Sequence, residues 1–127
     1  MKVVKDLYYT NDHEWVKVDG EEAYIGIADY AQDALGDIVY VELPEIDDEF
    51  DKEDGFSAVE SVKAAADIYM PVAGKVVAVN EELLDDPALL NQDPYENWMI
   101  KVEIADKSEL DELMSSEEYE KFLEEEV

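Results

Sequence analysis

Cysteine and arginine are absent from this 127-residue chain, histidine occurs once, and glycine only five times. Each shortage removes a class of function. Without Cys there is no disulfide, no thiolate nucleophile and no Cys-ligated zinc or iron–sulfur site. The single histidine, His13, cannot build a His-based metal cage, so no metal site is expected. A Ser-His-Asp triad would need His13 beside Ser57, Ser61, Ser108, Ser115 or Ser116, and no Gly-x-Ser-x-Gly elbow surrounds any of them. Five scattered glycines make no phosphate-cradling loop. Nine lysines carry all the positive side-chain charge, and they form no cluster. That argues against nucleic-acid binding by counterion release and against attraction to an anionic membrane. The longest run without a charge, Ile68 to Gly74, falls far short of the about 20 residues a membrane-crossing helix needs. The start, Met1-Lys2-Val3-Val4-Lys5-Asp6, has neither an apolar signal core nor an Arg-rich transit segment, so a cytoplasmic location is expected.

What the chain has in excess is acid. Thirty-six Asp and Glu give a formal net charge of -27 and a pI near 4.1. The hydrophobic fraction of 47% nonetheless separates it from acidic disordered segments, and its length fits one domain over residues 1–127. So many like charges resist compaction, but at about 1 M salt the Debye length falls to about 3 Å. The charge therefore predicts a salt-rich cytoplasm, as in a halophilic archaeon. Carboxylate pairs are too abundant to signal glycosidase chemistry, and the inventory as a whole disfavours an ordinary enzyme.

Short β-rich runs fill the middle of the chain: Ala23 to Ile27, Ile38 to Leu43, Val76 to Val79 and Met99 to Ile104. Each is bounded by Gly, Pro, Asp or Asn, and Asp19-Gly20 reads as a hairpin turn. Many short strands with frequent turns predict a sandwich or barrel, with a β core over about 14–104. Asp29 to Leu35 predicts two helical turns stopped by Gly36. Asn80 and Asp86-Pro87 resemble helix starts. Ser108 with Asp111, and Ser115 with Glu118, have capping-box spacing and predict two helices within a C-terminal segment over about 106–126. There Tyr119, Phe122 and Leu123 share one helical face.

One segment stands apart: Ala58-Val59-Glu60-Ser61-Val62-Lys63-Ala64-Ala65-Ala66-Asp67-Ile68-Tyr69-Met70-Pro71. A strand leads in and another leads out, and a single lysine sits between them among small and apolar neighbours. At a hairpin tip Lys63 would present its ε-amine to a modifying enzyme with little steric cover. The plainer readings are an exposed turn lysine without a role, or a core helical fragment over Val62 to Ala66.

Glu60-Ser61-Val62-Lys63-Ala64, followed by Asp67-Ile68-Tyr69 and Pro71-Val72-Ala73-Gly74, resembles the lipoyl-attachment region of the glycine cleavage system H proteins. The likeness continues, in collinear order, through most of the chain. It includes Tyr9-Thr10, His13-Glu14-Trp15-Val16, the run from Gly26 to Val39, and Val41-Glu42-Leu43-Pro44. It resumes at Asn91, Asp93-Pro94-Tyr95, Trp98 to Lys101, Ser108 to Asp111 and Tyr119. Ala28 stands where the family usually has Thr, Ala66 and Met70 where it has Ser, and the Gly-containing run before Trp98 is shortened to Glu96-Asn97.

The resemblance implies an all-β barrel-sandwich hybrid of two antiparallel sheets, like biotinyl and lipoyl domains, with short helices and a C-terminal helical segment. It implies a non-enzymatic carrier with lipoic acid joined to Lys63 by an amide. In such a system glycine decarboxylase, a pyridoxal-phosphate enzyme, loads an aminomethyl group onto the carrier. The tetrahydrofolate-dependent aminomethyltransferase unloads it, dihydrolipoamide dehydrogenase reoxidises the dithiol, and a separate lipoate-attaching enzyme modifies the lysine. A monomer suits a shuttle that visits several enzymes. Glu14 and Asp67 are candidates for a cleft that shields the cationic cargo, and Glu60 for recognition by the attaching enzyme. A biotin carrier would usually flank its lysine with Met, whereas Val62 and Ala64 stand here. An H-like protein relaying lipoyl groups to other proteins is the other alternative.

Overall fold

A computed structural model describes residues 2–126, so the two outermost residues of the expected 1–127 domain lie outside the described residues. In chain order the elements are β1 (Tyr8–Tyr9), β2 (Glu14–Asp19), β3 (Glu22–Ile27), α1 (Asp29–Leu35), β4 (Ile38–Glu42), β5 (Glu49–Phe50), β6 (Gly55–Ser61) and β7 (Ala65–Tyr69). They continue with β8 (Gly74–Val79), α2 (Glu82–Asp85), α3 (Leu89–Gln92), β9 (Ile100–Ile104), a 3-10 turn (Lys107–Glu112) and α4 (Ser116–Glu126). Six strands form one antiparallel sheet in the order β1-β2-β3-β9-β8-β5, and β4-β6-β7 form a second. This is the expected pairing of two antiparallel sheets. Strand structure begins ahead of the expected boundary near residue 14, because Tyr8 and Tyr9 pair with Val16 and Trp15.

Alternation sends one face of each sheet inward. Val16, Ile25, Val76, Ile100 and Val102 of the larger sheet share a buried core with Ile38, Val41, Val59 and Ile68 of the smaller. A second cluster holds Leu7, Tyr9, Trp15, Ala28, Tyr119 and Leu123, so α4 is seated by the aromatic face its spacing predicts. Tyr9 and Tyr119 stack with ring centroids 4.3 Å apart.

The helix starts divide. At Ser115 the capping box forms in both directions: Glu118 N–H donates to Ser115 Oγ at 3.2 Å, and Ser115 N–H donates to Glu118 Oε1 at 3.0 Å. Ser108 does not cap. The cap is Asp106, whose carboxylate accepts the Ser108 N–H at 3.0 Å, and the residues after it form a 3-10 turn. Asn80 also fails to cap with its side chain, which donates to the Trp98 carbonyl at 2.9 Å. Asp86 contributes only its backbone carbonyl to the turn before α3. At Ser108 a nearer acceptor, and at Asn80 a tertiary contact, outcompetes the local pattern.

Gly26 of β3 lies opposite Trp15 of β2. A Cβ built there would come within 2.8 Å of the indole ring, whose Nε1–H is anchored on the Pro94 carbonyl at 3.1 Å. The ring is buried and held by that hydrogen bond, so Gly26→Ala is expected to cost about 1–3 kcal/mol by overpacking. Urea midpoints with an unchanged slope would show it.

Candidate functional site

Lys63 sits at the tip of the β6–β7 hairpin, as the spacing of its flanking strands predicts. The three-residue connection, Val62-Lys63-Ala64, is closed by Ser61 N–H donating to the Ala64 carbonyl at 2.7 Å. The Ser61 hydroxyl oxygen accepts the amides of Ala64 at 3.0 Å and Lys63 at 3.3 Å. Serine thus satisfies the turn amides locally, and the lysine need not fold back to do so. Lys63 is exposed, and among the described residues it makes no ion pair despite the chain's acidity.

The turn rests on a neighbouring loop. Val62 N–H donates to the Asp37 carbonyl at 3.0 Å. Lys63 lays its aliphatic stem over Gly36, where an added Cβ would stand 3.3 Å from Cε. Gly36 ends α1 with φ 80° and ψ -153°, a conformation open to glycine, so one residue both stops the helix and leaves room for the stem. The loop is itself clamped by Asn91 of α3. The Asn91 amide donates to the Gly36 carbonyl at 2.8 Å and to Gln32 Oε1 at 3.0 Å, while its oxygen accepts the Ile38 N–H at 2.9 Å. Asp37 and Asn91 are therefore positioning residues that local pattern does not reveal. Asn91 acts across more than 50 residues of chain, and no short-range signal marks such a contact.

The three candidate acids, Glu14, Glu60 and Asp67, are not equivalent. Glu60 is exposed on β6, registered between Tyr40 of β4 and Ala65 of β7. Asp67 is exposed on β7, registered opposite Ala58. Glu14 is only 2% exposed. Thr10 donates its hydroxyl to Glu14 Oε1 at 2.8 Å, and Tyr69 N–H donates to Oε2 at 3.2 Å. Glu14 is thus no open cleft wall. It is a buried carboxyl linking the β1–β2 loop to the end of β7, two residues beyond Asp67. Burial pushes its pKa from 4.5 up to about 7, and the Asp12 charge adds to the rise, against the two hydrogen bonds, which lower it. Tyr69 lies six residues past Lys63, roughly 20 Å along an extended strand, so Glu14 and the lysine occupy opposite ends of β7.

Such an arrangement can present one amine for acylation and hold a titratable carboxyl at a distance from it. Among the described residues no group of three or more His, Asp or Glu is placed to hold a metal ion, and no helix is long and apolar enough to cross a membrane.

The model of the family described as glycine cleavage H-protein matches residues 7–126. A glycine cleavage system H protein of Thermoanaerobacter pseudethanolicus is 60% identical over 126 residues, covering 99% of this chain and 100% of that protein. One from Alkaliphilus oremlandii is 62% identical over 127 residues, covering both chains fully. Among solved structures, a glycine cleavage system H protein from Mycobacterium marinum superposes with a TM-score of 0.83 at 33% identity, over 92% of this chain and 95% of that one.

Proposed function

From the premise that this chain belongs to the glycine cleavage H-protein family, the lipoyl-bearing shuttle of the glycine cleavage system, we propose that Lys63 is its lipoyl-attachment residue. The observation that carries the proposal is the exposed hairpin-tip amine, held up by Ser61 and Asp37 and free of ion pairs among the described residues. The residues suit an amide-linked arm. The lysine stem has a glycine floor, its neighbours Val62 and Ala64 add little bulk, and the rigid hairpin fixes where the arm begins. When attached, the lipoyl group supplies the disulfide–dithiol chemistry that this cysteine-free chain lacks.

The protein's own share is that of a platform without catalysis of its own. Tethering keeps the arm at high effective concentration before each partner. The partners in this reading are glycine decarboxylase, the aminomethyltransferase, dihydrolipoamide dehydrogenase and a lipoate-attaching enzyme, met in the cytoplasm by a monomer. Asp67, exposed on β7, offers an acidic rest for the cationic cargo, and the buried Glu14 carboxyl is held at the far end of the same strand through Tyr69. A carboxyl poised near neutrality gains its charge when a cation arrives and is neutralised again when it leaves. Intact mass of the protein from its native host, followed by peptide mapping, tests the attachment. A lipoyl increment on the Lys63 peptide supports it, and an unmodified or biotinylated lysine overturns it.

The charge of -27 fits a salt-rich interior in the same reading. Circular dichroism is expected to show loss of structure at about 10 mM salt and recovery towards 1 M. Full folding at the low end would refute that adaptation.

A further inference from the structure

Among the described residues seven large hydrophobic side chains are exposed on this acid-rich chain, and three of them lie on β4 and in the Lys63 turn. Val62 is 71% exposed, Val39 56% and Tyr40 50%. Their placement stems from a register shift in β4. Ile38 pairs with Ser61 and Tyr40 with Glu60, which leaves Val39 as an extra residue in a β-bulge. Plain alternation from the buried Ile38 would turn Tyr40 inward and Val41 outward. The bulge reverses that phase: Val41 is buried, and both Val39 and Tyr40 face solvent. Val62 joins them because its amide is tied to the Asp37 carbonyl, one residue before β4 begins. The result is an apolar collar: Val62 adjoins Lys63 in the chain, and Tyr40 is registered opposite Glu60, three residues before the lysine. Glu42, Glu60 and Asp67 are exposed on the same face of the smaller sheet as Tyr40, and Asp37 is exposed one residue before β4.

We propose that this collar is the docking surface for the enzyme that acylates Lys63. The inference rests on the reading of Lys63 as the attachment site and adds to it the surface and the kind of partner. Reach decides between occupants. The bond is made at Nζ itself, so the acylating enzyme must come down onto the turn and cover whatever surrounds it. Enzymes that act at the far end of the finished arm meet their chemistry a full arm's length away. In the step the neutral ε-amine attacks the acyl carbon of an activated lipoyl mixed anhydride with a phosphate monoester. The C–N bond forms, and the C–O bond to the phosphate breaks. The phosphate monoester leaves with the electron pair, and the amine proton passes to solvent. The collar and its rim call for an apolar contact on the partner flanked by Lys or Arg.

The test is steady-state lipoylation of the full-length apo protein by a lipoate–protein ligase supplied with lipoate and ATP. Wild type is compared with the double variant Val39→Ser, Tyr40→Ser. The expected result is a KM for the apo protein at least tenfold higher with kcat within twofold. Thermal melting should be unchanged, and acetylation of Lys63 by a small amine-reactive ester should keep the wild-type rate. An unchanged KM overturns the collar. So does a parallel loss of reactivity towards the small ester, which would mean that the turn itself had moved. Normal lipoylation combined with failure of the lipoylated variant at glycine decarboxylase also overturns it, by assigning the surface to another partner. Failure of the ligase to modify wild type at Lys63 overturns the attachment reading instead.

Discussion

Replacing Lys63 with arginine is expected to abolish lipoyl attachment and take glycine cleavage supported by this carrier down to background. Arginine keeps the positive charge, the length and the aliphatic stem over Gly36, but its guanidinium stays protonated and does not act as an acyl acceptor. The loss is chemical and not conformational. Lys63 is exposed, makes no ion pair among the described residues, and lends its backbone amide to Ser61 whatever its side chain. Stability should therefore stay within about 0.5 kcal/mol of wild type. Intact mass after incubation with ligase, lipoate and ATP reads the first effect, and urea melts read the second. A Lys63→Arg protein that still gains the lipoyl mass would place the attachment site elsewhere.

Glu14→Gln is expected to stabilise the protein at high pH and to have little effect at low pH. Burial holds the Glu14 carboxyl near 7 in the folded chain, against 4.5 for an ordinary glutamate, so the folded state binds this proton more tightly than the unfolded state. The stabilisation from protonation is complete below about 4.5 and is lost as pH rises through about 7. Over that rise, at about 1.4 kcal/mol per unit, the ionised carboxyl costs on the order of 3 kcal/mol by pH 9. Glutamine imitates the protonated form. Its amide oxygen can accept from Tyr69 N–H and its NH2 can donate to the Thr10 hydroxyl, which already accepts the Glu14 amide at 3.1 Å. Urea midpoints of the two proteins should coincide near pH 4, separate as pH rises from about 4.5 to about 7, and stay apart above that. A difference that is flat with pH would remove burial as the cause of the shift. The same variant should lipoylate normally yet shorten the half-life of the glycine-loaded carrier. An unchanged half-life would leave Glu14 a purely structural acid.

The site was partly legible in the residues themselves. Strand-like runs on both sides of Val62-Lys63 were enough to put the lysine at a hairpin tip, since turn length and alternation are local properties. Ser115 with Glu118 was legible for the same reason, because a reciprocal cap lies within four residues. Ser108 and Asn80 were not, since Asp106 and Trp98 supplied competing partners. The Asn91 clamp was invisible because its three hydrogen bonds reach α1, Gly36 and β4 from across the chain. Glu14 and Asp67 read alike as acids, and only packing distinguished them.

By itself, then, the sequence determined the inventory and the local geometry. The chain has no Cys, no Arg and a single His, and one lysine lies on a short turn between strands. Tertiary structure alone decided three things. Among the acids of the described residues it buried Glu14 and raised its pKa, through packing that joins β2 to the end of β7. It propped the Lys63 turn on Asp37 and Gly36 through α3. And by a single extra residue in β4 it turned Tyr40 outward beside Lys63, because a sheet of period two reverses every later side chain when its register shifts by one.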